Sequence, residues 1–276
     1  MTLQPWPSPA RDRPLAVAVP GSVLAVEQDL RDKTYKVGLL SRLFAVFRVD
    51  EVYIYADEET SDRDVEILRD LLEYQLVPPH LKRRLVPVKD TLKFAGVMPP
   101  LRLPNHSPPE RPVAGYVVDG VIDRVRGSQC DVFLGNMGVG VLRPCSGSAG
   151  QPVTVRISRV EGGRILLEPA SWGRVYVGYR VSVERNLPAL VERLRASGYL
   201  IVGTSKYGSL EYSALKSLRE RPALVVFGGP EEGLLSELGR RAFDLMINAV
   251  PLQGTETVRT EEAVAATLAI INALSW

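Results

Sequence analysis

The raw materials of metal and redox chemistry are scarce in this chain. Its 276 residues include two cysteines, Cys130 and Cys145, and two histidines, His80 and His106. Neither CxxC nor HxxxH spacing occurs, so zinc and dithiol readings lose their signature and no metal is expected. The two cysteines could meet across a hairpin, but two buried free thiols are the expected state. With a formal net charge of only +2, the chain lacks the field that advertises a nucleic-acid partner. No GxGxxG follows the first strand-like run and no GxxxxGK[ST] occurs, which removes the dinucleotide fingerprint and the P-loop. The most apolar helical run, Ala263 to Leu274, is too short to span a bilayer. Met1 to Arg13 is interrupted by prolines and has no apolar core, unlike a secretory leader. A cytoplasmic protein without membrane or metal partners is therefore expected.

What is present reads as a globular domain, 45% hydrophobic and 24% charged, long enough for one large domain or two smaller ones. Leu15 to Val19 is a short apolar run ended by Pro20-Gly21, which predicts a buried parallel strand. Leu30 to Phe47 places Val37, Leu40, Phe44 and Phe47 on one helical face, and Glu51 to Ala56 reads as a second strand. Ser61-Asp62 can cap a following helix with Val65, Leu68, Leu72 and Leu76 on one face. This opening implies an α/β fold with a Rossmann-like parallel sheet. Its character changes after Pro78-Pro79, the basic stretch His80 to Arg84 and a proline-rich passage. From Val113 to about Glu184 short alternating runs predict five or so strands without a helix. Gly162-Gly163 is the expected hairpin turn between two of them. A small β-barrel of the oligonucleotide/oligosaccharide-binding (OB) type matches this size. Between His106 and Asn186 there are ten arginines against seven acidic residues, a weak pointer to RNA.

The α/β pattern then resumes. Leu187 to Ala196 predicts a helix stopped at Gly198, Tyr199 to Val202 a strand, and Tyr212 to Arg221 a helix. Residues 1–95 and 180–276 thus form one discontinuous α/β domain interrupted by a barrel at 96–179. Three glycine-containing loops follow three strands of its second half. They are Gly203-Thr204-Ser205-Lys206, Gly228-Gly229-Pro230-Glu231-Glu232-Gly233 and Pro251-Leu252-Gln253-Gly254. Glycines there let backbone groups approach a ligand closely, and strand ends are where open α/β sheets bind ligands. Beyond the third loop lie Glu256, Arg259, Thr260, Glu261 and Glu262. Glu262 suits a helix N-terminus, whereas Arg259 has no such local reason to be there.

The runs VVFGGPEEGL and NAVPLQGTETVRTEEAVAATLAIINAL resemble the paired C-terminal motifs of the SPOUT (α/β-knot) methyltransferases. PGS at Pro20 to Ser22, VDEVYIY at Val49 to Tyr55, and LKFAG at Leu92 to Gly96 resemble one branch of that class. It is the archaeal and eukaryotic branch of RNA methyltransferases in which a barrel interrupts the knot domain. The resemblance implies a C-terminal trefoil knot, S-adenosylmethionine as cofactor and a homodimer packed through the knot helices, with Ala263 to Leu274 partly interface. It maps the cofactor pocket onto Thr204, Gly228, Gly229, Glu232, Gly233, Leu252 and Gly254. It also matches Arg42 to the first-motif arginine that points into the active site. Arg259 or Arg42 would stabilise developing charge, and Glu256 or Glu261 would accept a proton. The implied activity is methylation of a base in ribosomal RNA, with uridine N3 suggested by the eukaryotic branch. A non-catalytic RNA-binding assembly factor, a ribose 2′-O-methyltransferase, and a phosphate-using transferase or hydrolase built on GGPEEG remain the alternatives.

Overall fold

The computed structural model describes residues 6–229 and 239–275. They divide into two compact units. One comprises Arg11–Gln75, Asp90–Pro100 and the chain from Gly178 onward. The other comprises the described part of residues 1–10, Leu76–Lys89 and Leu101–Val177. In chain order the elements begin with β1 (Leu15–Pro20), α1 (Leu30–Val46), β2 (Glu51–Tyr55), α2 (Asp62–Leu76) and the single turn α3 (Lys82–Leu85). Next come β3 (Val117–Arg126), β4 (Gln129–Phe133), β5 (Val139–Leu142), β6 (Pro152–Glu161) and β7 (Arg164–Pro169). The second half holds β8 (Arg180–Glu184), α4 (Leu187–Ala196), β9 (Leu200–Ser209), β10 (Ala223–Val226), β11 (Leu245–Ile247) and α5 (Thr260–Leu274). No helix among the described residues is long and apolar enough to cross a membrane.

The first unit is built on a six-stranded sheet in the order β11-β9-β10-β1-β2-β8, every pairing parallel. All six residues of β1 are buried, as a central strand covered on both faces requires. Val17 sits opposite Val225 on one side and Val52 on the other. Ala16, Ala18, Leu224 and Val226 share a core with Leu187, Leu190, Val191 and Leu194 of α4. That helix is capped by Asn186, whose side chain accepts from the Ala189 N–H at 2.9 Å. A cap contributes about 1 kcal/mol, whereas each buried aliphatic contributes about 1.5–3 kcal/mol. Packing therefore holds α4 in place. Ser61 caps α2 as expected, accepting from the Asp64 N–H at 3.0 Å. The run at Arg180–Glu184 alternates like a barrel strand, yet it pairs with β2 at the edge of the parallel sheet. Alternation marks a half-covered strand, and a sheet edge satisfies it as well as a barrel wall does.

The second unit is a closed five-stranded barrel, β3-β4-β5-β7-β6. Val118, Ile122, Val132, Val155, Ile157, Ile165 and Leu167 form its interior at the expected period of two. Gly162 and Gly163 close the β6–β7 hairpin at φ +53° and +76°, the left-handed pair that a two-residue turn demands. Cys130 and Cys145 form a disulfide with Cα atoms 5.6 Å apart, correcting the expectation of free thiols. The antiparallel β4–β5 pairing and the Cys145 N–H bond to the Ser128 carbonyl at 3.0 Å fold the chain back onto β4. That separation is ordinary for a disulfide. Asp119 fastens the flanking segments to the barrel. It accepts from Thr154 Oγ1 at 2.7 Å, Trp172 Nε1 at 2.9 Å and Asn105 Nδ2 at 2.9 Å. His80 Nε2 lies 3.0 Å from the Asp119 carbonyl.

His106 is buried, with Nε2 3.2 Å from the Leu76 carbonyl oxygen. Burial pushes its pKa down to about 4, the carbonyl bond opposing only in part. The unfolded chain protonates this histidine near its ordinary value of about 6.5, before the folded chain does. Stability should therefore fall as pH drops from about 6.5 to about 4, by up to about 3 kcal/mol, and this histidine should add nothing below that. Denaturant midpoints measured across this range should lose that slope in His106→Leu.

Candidate active site

The connection after β1 leads to β2 on one side, and the connection after β10 leads to β11 on the other. The C-terminal ends of β1 and β10 thus flank the switch point of the sheet, where open α/β sheets bind ligands. Two short segments meet there. Pro20-Gly21-Ser22 leaves β1 in a single tight turn, with Ser22 fully buried. Phe227-Gly228-Gly229 leaves β10, its Phe227 N–H donating to the Ala18 carbonyl at 3.0 Å. Tyr55, buried at the end of β2, donates to the Phe227 carbonyl at 2.7 Å.

The Gly228-Gly229 turn is fitted on both flanks. The Thr260 hydroxyl donates to the Gly228 carbonyl at 3.3 Å, joining the start of α5 to the turn. A Cβ on Gly229 would lie 2.6 Å from Asp57 Oδ2 and 2.9 Å from Ser22 Oγ. Glycine there avoids a clash with these two side chains, which is a different reason from the approach to a ligand that the motif suggested. Glu232 and Gly233, assigned to the same loop, lie outside the described residues.

The other two loops take different forms. Gly203 to Lys206 is not a loop after a strand. β9 runs on to Ser209, and its pairing with β11 jumps from Gly203↔Met246 to Ser209↔Ile247, so the intervening residues bulge from the ladder. The polar side chains hid this continuation, because bulged residues need not alternate. Thr204 still reaches the site, donating to the Val226 carbonyl at 3.2 Å. The segment after β11 is braced by two amides that the motif reading passed over. Asn248 Nδ2 donates to the Lys206 carbonyl at 3.0 Å, and its Oδ1 accepts from the Val250 N–H at 3.0 Å. Gln253 Nε2 donates to the carbonyls of Thr255 and Glu256 at 3.0 and 2.8 Å. An Asn directly after an apolar run is the signal that could have found the first brace. Leu252 stands at φ +54° with its side chain fully exposed. A left-handed leucine costs about 1–2 kcal/mol, so the loop holds this shape against local preference. No atom lies within 4 Å of a Cβ placed on Gly254.

The candidate charged residues fall into separate settings. Arg259 is the residue before α5. Its N–H is capped by Glu262 Oε2 at 2.9 Å, and its exposed guanidinium has no partner among the described residues. Glu262 thus serves the helix end, as expected. Glu256 is exposed on the bridging segment. Glu261 is turned inward, 3.5 Å from the buried Lys36 ammonium, which also meets Glu27 at 2.9 Å and the Val23 carbonyl at 3.0 Å. Arg42 Nη1 donates to the Pro100 carbonyl at 2.7 Å. Asp57, Thr60 and Lys36 were missed because no local pattern marks them, and Ser22 was read only as part of the PGS motif. Gly229→Ala should destabilise the fold by about 1–3 kcal/mol through overpacking. Gly254→Ala, in open space, should stay within about 0.5 kcal/mol of wild type in urea denaturation.

Residues 14–271 match the family described as "Putative RNA methyltransferase". An uncharacterized protein of Halobacterium salinarum is 33% identical over 287 residues, covering 92% of this chain and 96% of its own length. The 28S rRNA (uridine-N(3))-methyltransferase of Homo sapiens is 31% identical over 303 residues, covering 95% of this chain and 79% of its own length. A crystal structure of an RNA 2′-O ribose methyltransferase spans 99% of this chain and 60% of its own length, at 11% identity and a TM-score of 0.42. That score is too low for the likeness to bear on the site. A family match over almost the whole length, joined by two relatives above 30% identity, places this chain in the RNA methyltransferase family.

Proposed function

We propose that the protein is an S-adenosylmethionine-dependent methyltransferase acting on a base of ribosomal RNA, with uridine N3 as the acceptor atom. The observation that carries this reading is the Gly228-Gly229 turn at the switch point, with Thr204 and Thr260 bonded to carbonyls on either side of it. The name of the human relative supports the acceptor. The residues present suit an adenosine-bearing cofactor. Gly229 has space only for bare backbone, and Leu252 presents an apolar side chain from a fixed left-handed turn. Thr204, Gly228, Gly229, Leu252 and Gly254 would hold the cofactor chiefly through backbone groups, together with Glu232 and Gly233. When bound, S-adenosylmethionine supplies an already activated methyl group. The chain itself then has to orient the acceptor, remove its proton and steady the charge that develops.

Arg259 is placed for the last of these tasks. Its guanidinium is uncommitted among the described residues, and its neighbour Thr260 is tied to the cofactor turn. Lys36 holds Glu261 and so anchors the same helix end. A donor that meets charge appearing only in the transition state is worth about 10²–10³-fold in rate. The target base must be unstacked or single-stranded to enter such a site. The barrel is the natural holder of flanking RNA. Arg84, pinned by Asp123 at 2.6 Å, lies 4.6 Å over the Phe133 ring centroid, the kind of surface on which bases stack. We further infer a trefoil knot closed by α5 and a homodimer packed partly through that helix.

The deciding assay is transfer of a labelled methyl group to ribosomal RNA lacking the modification, followed by nucleoside mass spectrometry. N3-methyluridine is expected. An alkali-resistant product would instead mean ribose methylation, and binding of RNA without binding of S-adenosylhomocysteine would mean an assembly factor. Arg259→Ala should lower the rate about 10²-fold or more while S-adenosylhomocysteine affinity stays within about threefold of wild type. An unchanged rate would remove Arg259 from the mechanism.

A further inference from the structure

A carboxylate sits against the cofactor turn with no cation paired to it among the described residues. Asp57 follows β2, half-buried, and its Oδ2 accepts from the Ser22 hydroxyl at 2.5 Å. Its Oδ1 accepts from the Thr60 hydroxyl. The Thr60 oxygen in turn accepts the N–H groups of Asp57 and Ser22, each at 3.1 Å. The donors around the carboxylate are thus neutral. No Lys, Arg or His pairs with it among the described residues. A carboxylate offers about four acceptor positions, and the two hydroxyls use two. The group is held firmly, yet it keeps acceptor capacity at the switch point of the sheet.

The other acidic candidates lack this combination. Glu261 faces Lys36 at 3.5 Å. Glu256 stands on an exposed segment where no described residue holds its carboxylate. Asp57 touches Gly229, and Thr260, directly after Arg259, bonds Gly228. A carboxylate therefore lies against one member of this two-residue turn, and the helix end that carries a guanidinium is bonded to the other. An imide edge of a base carries one N–H between two carbonyl oxygens. An acceptor for the first and a cation for the second complement it.

We propose that Asp57 is the catalytic proton acceptor for methylation of the base, with Ser22 and Thr60 as positioning residues. This rests on the base-methylation reading above. In the step, the imide N–H bond breaks and its proton goes to an Asp57 oxygen. The nitrogen lone pair forms the new N–CH₃ bond as the S–CH₃ bond breaks, and S-adenosylhomocysteine leaves neutral. The charge passing through the base spreads onto its carbonyl oxygens, where Arg259 meets it.

Asp57→Asn keeps both hydroxyl partners and the fit against Gly229 while removing the base. Single-turnover transfer to unmodified ribosomal RNA should fall at least about 100-fold, within the range for loss of a general base. Calorimetric affinity for S-adenosylhomocysteine should stay within threefold of wild type, and the melting temperature should hold. A rate within threefold of wild type would overturn the proposal. So would a loss of S-adenosylhomocysteine affinity in step with the rate, since Asp57 would then merely support the cofactor loop. If Asp57→Asn melts early, Asp57→Ala assayed with added formate keeps the test alive. Partial rescue of the rate by formate, absent in wild type, supports the role, and no rescue rejects it. Failure of the wild-type protein to methylate the base would instead remove the reading on which the role depends.

Discussion

One parallel pairing, β10 against β1, holds everything else in place. It joins strands from opposite ends of the chain, Leu15 opposite Ala223 through Ala18 opposite Val226. A central strand buried on both faces has no water to satisfy its backbone, so it must find a neighbour on each edge. β2 supplies one from nearby sequence. Only β10 supplies the other, and its arrival sets the C-terminal glycine turn beside the buried Ser22. The switch point, and with it the candidate site, is a consequence of that edge requirement.

Close approach explains the chemistry of the site better than charge does. The turn after β10 is glycine because Asp57 and Ser22 already fill the place of a side chain. The turn is then tied by neutral hydroxyls, Thr260 to Gly228 and Thr204 to Val226. Neutral donors fix backbone geometry without the desolvation cost of a buried ion. The buried cation Lys36 is matched with Glu27 and Glu261. Breaking such a buried set by removing one member costs about 3–5 kcal/mol, which is ample to anchor the start of α5. Arg259 is by contrast uncommitted among the described residues, its backbone N–H alone being capped by Glu262.

Much of the fold was legible in the residue pattern. Helix α4 runs over the residues expected, since its apolar spacing and the Gly198 stop point to the same boundaries. The Gly162-Gly163 hairpin followed from turn chemistry alone. Legibility failed wherever a residue's role depended on a partner far along the chain. Arg180–Glu184 has the alternation of a barrel strand, and its place at the sheet edge depends on its pairing with β2. Gly203 to Lys206 reads as a loop, and only the broken register against β11 reveals a bulged strand. Cys130 and Cys145 look like two buried thiols until β4 and β5 bring them together.

By itself the sequence determined the class of fold, the glycine turns and the family resemblance. These depend on local spacing, and local spacing survives in one dimension. Tertiary structure decided which side chains share a site. Asp57 and Gly229 carry no common motif, and they meet because β2 and β10 flank the same buried strand. It also sorted the acidic candidates, drawing Glu261 inward to Lys36 and leaving Glu256 in solvent. The physical reason is the same in each case. A carboxylate's chemistry is set by its neighbours in space, and those neighbours come from segments that only sheet pairing brings together.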